Sequence, residues 1–464
     1  MSTPTIKSKI GVLHSQIGFD DGVSIVIRQI EEVMIRQLKI PASKIFYLCG
    51  RAGNGGANIF VHPQLWHQHW INRLMLKNYQ RGYTDKQKFL IEKAIKRAQN
   101  IIAKFIQQTQ IQVLIAHNTS HPVNFITSLA LARYYQKDGF TPRYVLWWHD
   151  SHLERERFLH PSPQVQRYLL AGVPGPYPDF IVFINSLQWE RSKSYFKTLE
   201  KRRPGFYRRL QHNHQVIYNT ADLEINSVKS LITNPEIKRL VRQFLIGYRI
   251  KERLRERGLN IGNTLFCLQH TRIVPRKKID FALQFCFALQ QKFSSSSRFR
   301  GVLFFVSGYN GDEGEEHKKH LWEYFQKLQQ SYPNAKVILL FAEDNPYSEI
   351  KFRHFPFVFA YLGGIATYFS EMEGFGNNLL EVLAAGLIPI VYQYPAFKSD
   401  IAPLGFKVIE LSRYKLNDNF LNRVIYLLNS SSLRQSWGQH NLKILRRYFS
   451  HQTIATKLKL ALGI

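Results

Sequence analysis

Ser370–Asp400 reads SEMEGFGNNLLEVLAAGLIPIVYQYPAFKSD. Two carboxylates, Glu373 and Glu381, bracket a small-residue turn and the start of an apolar run. Gly374 and Gly376 let the backbone bend sharply and approach a ligand closely. Leu379, Leu380, Val382, Leu383, Ala384 and Ala385 predict a buried helix that Gly386 ends. Ile388–Val391 predicts a buried strand. A glycine turn that opens a helix is an anion site, because the first helical N–H groups have no partner inside the helix. Carboxylates beside such a site do not suit a bare phosphate. They suit a ligand carrying both phosphate and hydroxyls, with N–H groups for the one and carboxylates for the other.

Working outward, apolar runs alternate with helical patterns along the whole chain. Ile10–Leu13, Lys44–Cys49, Gln112–Ala116, Tyr144–Trp148, Phe180–Ile184 and Val216–Tyr218 predict strands in the first half. Thr264–Gln269, Val302–Ser307, Lys336–Phe341, Phe355–Tyr361 and Ile365–Phe369 predict them in the second. Such alternation argues a parallel α/β sheet, and 464 residues argue two domains. Asp85–Gln107 predicts a helix whose apolar side holds Phe89, Ala94, Ile95, Ala98, Ile101, Ile102 and Phe105, packed on a sheet. Ile237–Gly258 predicts a basic helical stretch, and Asn441–Leu462 an amphipathic basic helix.

Composition bounds the function. Sixty-three Lys plus Arg against 33 Asp plus Glu give a formal charge of +30, a surface that attracts anions. Cys49, Cys267 and Cys286 fit no zinc motif and no disulfide framework, and read as buried thiols. The first residues, MSTPTIKSKIGVLHS, lack the apolar core of a signal peptide, and no uninterrupted apolar run reaches about 18 residues. A cytoplasmic protein is expected, with peripheral contact to an anionic membrane as a further option. Lys201–Leu210, KRRPGFYRRL, reads as a basic solvated loop whose Phe206 and Tyr207 offer a contact for anionic lipid or polymer.

Three clusters follow predicted strands, where open α/β sheets bind ligands. The loop around Gly18 and Gly22 precedes a helix from Val23, but has neither the dinucleotide fingerprint nor a Walker lysine. His117, Asn118 and His121 follow one strand; His149, Asp150 and His152 follow another. No pair has the spacing of a helical His-x3-His site, so no metal is expected. A neutral His149 can donate or accept at a sugar hydroxyl, with Asp150 either fixing its tautomer or binding an acceptor. Arg272 and Lys277 close the strand Thr264–Gln269, where two fixed cations can neutralise a leaving diphosphate. Arg276 and Lys278 read as solvent-facing.

The string EGFGNNLLEVLAAGLIPIV resembles the Glu-x7-Glu signature of the retaining, nucleotide-sugar-dependent glycosyltransferases of family 4. The resemblance covers most of the chain in order and is strongest over residues 264–400. It implies the GT-B fold: two Rossmann-like α/β domains facing a cleft, residues 1–222 on the acceptor side and 223–444 binding the nucleotide-sugar. The C-terminal helix, 445–464, would pack back on the first domain. It implies a hexosyltransferase of carbohydrate biosynthesis that moves sugar from a nucleotide diphosphate to an acceptor hydroxyl with retention, with no cofactor besides that substrate.

By the same resemblance, Arg272 and Lys277 match the Arg-x4-Lys motif that holds the donor diphosphate, although the following glycine is here Lys278. Glu373 contacts the donor sugar, and Glu381 the ribose. Gly22, Gly374, Phe375, Gly376, Asn377 and Leu380 complete the donor contacts. His149 lies near the donor sugar, while His117, Asn118 and Asp150 are acceptor candidates. Asn219 and Asp222 match an interdomain Asn-x-x-Asp segment. Tyr394-Pro395-Ala396-Phe397 stands where the family often has glycines, so local donor contacts depart there. The acceptor, a glycan, a small polyol or a lipid, is left open. The rival readings are a basic nucleic-acid or acidic-polymer binding protein, which no recognisable module supports, and a GT-B epimerase or phosphorylase.

Overall fold

A computed structural model describes residues 8–19, 21–53, 58–137, 141–220, 228–294, 298–309, 316–345 and 347–464. The chain divides into two units, Met1–Thr220 with His451–Ile464, and Ala221–Ser450. Asp222 and the acidic run 311–315 lie outside the described residues.

The first unit is built on seven parallel strands: β1 (Ile10–Ile17), β2 (Ile45–Ala52), β3 (Ile59–Val61), β4 (Val113–His117), β5 (Arg143–Trp148), β6 (Phe180–Phe183) and β7 (His214–Val216). Their spatial order is β3-β2-β1-β4-β5-β6-β7. All four residues of β6 and all five of β4 are buried. A parallel sheet covered on both faces reads as an unbroken apolar run for this reason. Leu48, Leu114, Leu146 and Ile181 join the helices on one face in a single core.

The helix Asp85–Thr109 is N-capped by Thr84, whose side chain and that of Gln87 form a reciprocal capping box. Ile91, Ile95, Ala98, Ile102, Phe105 and Ile106 are its buried apolar residues. Phe89 is 66% exposed, because the buried stripe runs through Ile91 and Ile95 on the neighbouring side. The expected loop at Lys201–Leu210 is also different. Phe206–Leu210 is a short helix with Phe206 and Leu210 buried, and the Glu200 carboxylate accepts from the N–H groups of Gly205 and Tyr207 at 2.6 and 2.5 Å. Phe206 therefore serves the core and cannot contact a lipid.

The second unit carries six parallel strands: β8 (Thr264–Gln269), β9 (Gly301–Val306), β10 (Val337–Phe341), β11 (Ile365–Tyr368), β12 (Pro389–Tyr392) and β13 (Ile409–Leu411). Their order is β10-β9-β8-β11-β12-β13, the doubly wound order of dinucleotide-binding folds. Phe355–Tyr361, expected as a strand, is a helix. Pro356 sits in its first turn, where a missing N–H costs nothing. Its first five residues are all buried, and a helix buried all round is indistinguishable from a buried strand by periodicity.

Two expected long helices are each broken. Pro235–Gly247 and Ile250–Glu256 are separated at Arg249, which has φ +49°. Ser431–Phe449 and His451–Leu462 are separated at Ser450. The last helix belongs with the first unit, where the Arg143 Nε donates to Ala461 O and Lys457 Nζ to Val216 O. Among the described residues, no helix is long and apolar enough to cross a membrane.

Candidate active site

In both sheets the strand order reverses beside the first strand, between β1 and β4 and between β8 and β11. Crevices outside the carboxyl ends of strands at such reversals are where open α/β sheets bind ligands. Both reversals are lined by polar side chains, and the two sets differ in chemistry.

At the second unit's reversal, Lys277 ends a short 3-10 turn after β8, and Glu373 follows β11. Lys277 Nζ donates to Glu373 Oε1, and both side chains are at most 10% exposed. The Tyr368 hydroxyl donates to the same oxygen at 3.0 Å, while Arg276 Nη1 lies 3.7 Å from Oε2. Burial works to raise the Glu373 pKa, but Lys277 and Arg276 overcome it and hold the carboxyl below its ordinary range. Burial pulls Lys277 below the usual lysine range, opposed by Glu373. Glu373 is thereby held as a carboxylate against the Lys277 amine. Arg272, half-buried and close enough to Lys277 to lower its pKa, makes no ion pair among the described residues.

Arg276 and Lys278 are engaged rather than solvent-facing. Arg276 donates to Met372 O at 3.1 Å, and Lys278 pairs with Glu371 at 2.9 Å over the Tyr414 ring. Lys278 has φ +50° and ψ +48°. Glycine adopts this left-handed conformation freely, whereas a lysine holds it at a cost of about 1 kcal/mol.

The glycine turn Gly374–Gly376 is set by packing. Gly376 has φ +118° and opens the helix Asn377–Ala384 with no side-chain cap. A Cβ on Gly376 would lie 2.2 Å from the Tyr394 hydroxyl oxygen. That hydroxyl donates to Phe375 O at 2.9 Å from a fully buried ring. The departure at Tyr394 is thus a buttress behind the turn. Glu381 lies one helical turn on and 22% exposed, and accepts from His270 Nε2 at 2.7 Å. His270 is completely buried, with Nδ1 2.8 Å from Ser307 Oγ and its ring stacked on Phe352 at 4.0 Å. A 210 Å³ cavity lined by Phe352, Tyr248, Ser307 and Tyr309 adjoins it. His270 was not singled out from the sequence; its place directly after a strand was the available signal.

At the first unit's reversal the expected clusters meet. His117 Nδ1 lies 2.9 Å from His149 Nε2, and the rings of His117, Trp147 and His149 cluster with centroids 5.3–6.5 Å apart. His14, also missed, approaches His117 O through Nδ1 at 3.2 Å and so donates to it. Burial drives all three down, His14 to about 4, His149 to about 3 and His117 well below the ordinary histidine value. They are neutral imidazoles, able to donate or accept at a hydroxyl. Asp150 does not fix the His149 tautomer. Asp150, just past β5, pairs with Arg155 at 2.5 Å and lies 3.9 Å from His121. Asn118 has φ +59°, and its buried Oδ1 has no partner among the described residues.

Gly22 opens the helix Gly22–Arg36. The N–H groups of Val23 and Ser24 are already taken by Asp21 Oδ1, both at 3.1 Å. The Ser24 hydroxyl and Gln16 amide hold the other carboxylate oxygen at 2.6 and 3.0 Å. Among the described residues, no group of three or more His, Cys, Asp or Glu is arranged to hold a metal ion.

No family model matches the chain. It is 24% identical over 433 residues to the mannosylglucosylglycerate synthase of Petrotoga mobilis, covering 89% of this chain and 90% of that protein. It is 28% identical over 219 residues to the enzyme of the same name from Thermotoga maritima, covering 43% of this chain and 48% of that one. Among solved structures it is similar to Anabaena HepE in complex with UDP and glucose, at a TM-score of 0.58 and 14% identity, over 98% of this chain and 99% of the other. Two doubly wound units and similarity along nearly the full length give the chain the GT-B fold and mark it as a nucleotide-sugar-dependent glycosyltransferase.

Proposed function

We propose that the enzyme transfers a hexosyl group, with retention, from a nucleoside diphosphate sugar to a hydroxyl of a small polyol acid. The buried Lys277–Glu373 pair, with Arg272 unpaired beside it, carries this reading. Arg272 and Lys277 bind the diphosphate and stabilise its charge as it leaves, the electrostatic contribution that dominates such sites. Glu373, kept ionised, is an acceptor only. It accepts from donor-sugar hydroxyls and stabilises positive charge at the anomeric centre. Glu381 accepts from the ribose diol, oriented by His270. Gly374, Phe375, Gly376, Asn377 and Leu380 shape the turn against the donor, and the cavity beside Phe352 receives the base.

In the first unit, neutral His149 binds a donor-sugar hydroxyl. His117 and Asn118 serve the acceptor, Asn118 through its unpartnered Oδ1. Asp150, held by Arg155, frames the same pocket. The small acidic acceptor follows the relatives, whose name states the product mannosylglucosylglycerate; a cationic surface of +30 favours such an anion.

The test is to incubate the protein with UDP-glucose and GDP-mannose, alone and with glycerate or glucosylglycerate. Diphosphate release that rises with one acceptor, an α-linked product from an α-linked donor, and loss of both in Glu373→Ala are expected. Salt-sensitive RNA binding without turnover of any donor would reverse the reading.

A further inference from the structure

A second cavity, of about 460 Å³, lies wholly in the first unit. Its walls come from the start of the helix Asp85–Thr109, the end of the helix Phe125–Tyr135, the helix Pro163–Gly172 and the segment past Ser186–Glu200. Helices in parallel α/β units run antiparallel to the strands they connect. The ends of these helices, at Arg133, Gln136 and Arg202, therefore lie at the amino edge of the sheet. His117 and His149 sit at the opposite, carboxyl edge. The cavity's lining shares no residue with the acceptor candidates His117, Asn118 and Asp150, or with His149.

Its chemistry is consistent in three respects. Four cations line it: Lys88, Arg133, Arg167 and Arg202. Lys88 pairs with the exposed Asp85, and Arg133 with Glu92, whose other oxygen accepts from the Tyr168 hydroxyl at 3.1 Å. Arg167 and Arg202 have no counter-ion among the described residues. Leu129, Ala132, Ala171 and Pro176 give an apolar floor. Tyr168 and Tyr177 offer ring faces, and Tyr177 is fixed by Arg203, which lies 5.7 Å from its centroid and donates to Pro176 O. Gln136 and Gln164 add amides.

We propose that this cavity is a second ligand site for a monosaccharide-sized organic anion, a sugar bearing one phosphate or carboxylate. The volume lies in the range of small-molecule sites. Arg167 and Arg202 take the anion through charge-assisted hydrogen bonds. The tyrosine faces take the sugar's C–H surface, and the amides its hydroxyls. The basic run Lys201–Leu210 contributes Arg202 here.

Calorimetry and thermal shift at about 0.15 M salt, which screens long-range charge, test the site with glucose 6-phosphate, glucuronate, glucose and inorganic phosphate. One or both sugar anions should bind at least about tenfold more tightly than glucose or phosphate, the better of the two assigning phosphate or carboxylate. Arg167→Ala/Arg202→Ala should weaken it about tenfold or more, and Tyr177→Ala should weaken it while leaving phosphate unaffected. Glu373→Ala should leave it unchanged, which separates this site from the transfer reaction. Both arginines are exposed, so their removal leaves the fold intact. Equal binding of phosphate and sugar phosphate, insensitivity to the arginine double variant, or no binding of either sugar anion would overturn the proposal.

Discussion

Two strand–turn–helix junctions, after β1 and after β11, each flank the strand-order reversal of their own unit, and they treat charge in opposite ways. After β1, the first helical N–H groups are occupied by the chain's own Asp21 carboxylate, and the surrounding histidines are neutral. After β11, the helix at Asn377 has no side-chain cap, and the neighbourhood holds Lys277, Arg272 and Arg276. A glycine turn by itself does not make a phosphate site. What decides is whether the protein supplies the anion or leaves it to the ligand. Gly22, a donor contact by the family resemblance, opens the turn whose first N–H groups Asp21 already occupies.

The sharpest way to break this contrast is at Lys277. Lys277→Met removes the cation beside the leaving diphosphate and leaves Glu373 buried. The expected fall in kcat is on the order of 10²–10³-fold, with about 3–5 kcal/mol of stability lost. Lys277→Met/Glu373→Gln should recover stability in urea titrations but not activity. If the double variant stays as unstable as the single one, the pair is not the source of the loss.

Acid probes the other junction. A histidine held neutral by burial binds its proton at lower pH in the folded chain than in the unfolded chain, so protons favour unfolding. The His14 contribution is intact above pH 6.5, declines between 6.5 and about 4, and then levels, a loss of about 3 kcal/mol. His14→Gln should flatten the slope of the urea midpoint between pH 7 and 4.5. It will not abolish it, because His117, His121, His149 and His152 are lowered too.

Next in size is His270→Ala. Losing the 2.7 Å contact that orients Glu381 should raise the donor KM about tenfold, a cost of about 1.4 kcal/mol, with little change in kcat. His270→Gln should restore part of it. A fall in kcat alone would instead give His270 a place near the reacting atoms. The smallest effect is expected from Asp21→Ala: about 1 kcal/mol of stability for the lost cap and a donor KM unchanged within about twofold. A tighter donor KM in that variant would show that the first turn binds phosphate after all.

Most strands of both sheets were legible from the sequence, because strands buried on two faces are continuous apolar runs; the edge strand β3, nowhere fully buried, was not. The same signal misled at Phe355–Tyr361, where a helix is buried all round. Glu373 and Lys277 were singled out through the family resemblance, and His117 and His149 as polar residues just past predicted strands. Their pairings were not. Lys277 meets Glu373 across 96 positions and His270 meets Glu381 across 111, distances that only the sheet order closes. Tyr394 read as a departure from a glycine pattern, and its role as a brace behind Gly376 depends on a contact no local pattern encodes.

The Lys277–Glu373 pair has a consequence for selectivity among the cell's anions. A bare lysine at a strand end would be occupied by any phosphate compound in solution. Here each charge satisfies the other at rest. A ligand that engages only the lysine strands a buried carboxylate, at a cost of several kcal/mol. A molecule that presents phosphate to the lysine and hydroxyls to the glutamate together avoids it. The resting pair acts as a two-key lock: free phosphate and the spent nucleotide hold one key each, and the intact donor holds both.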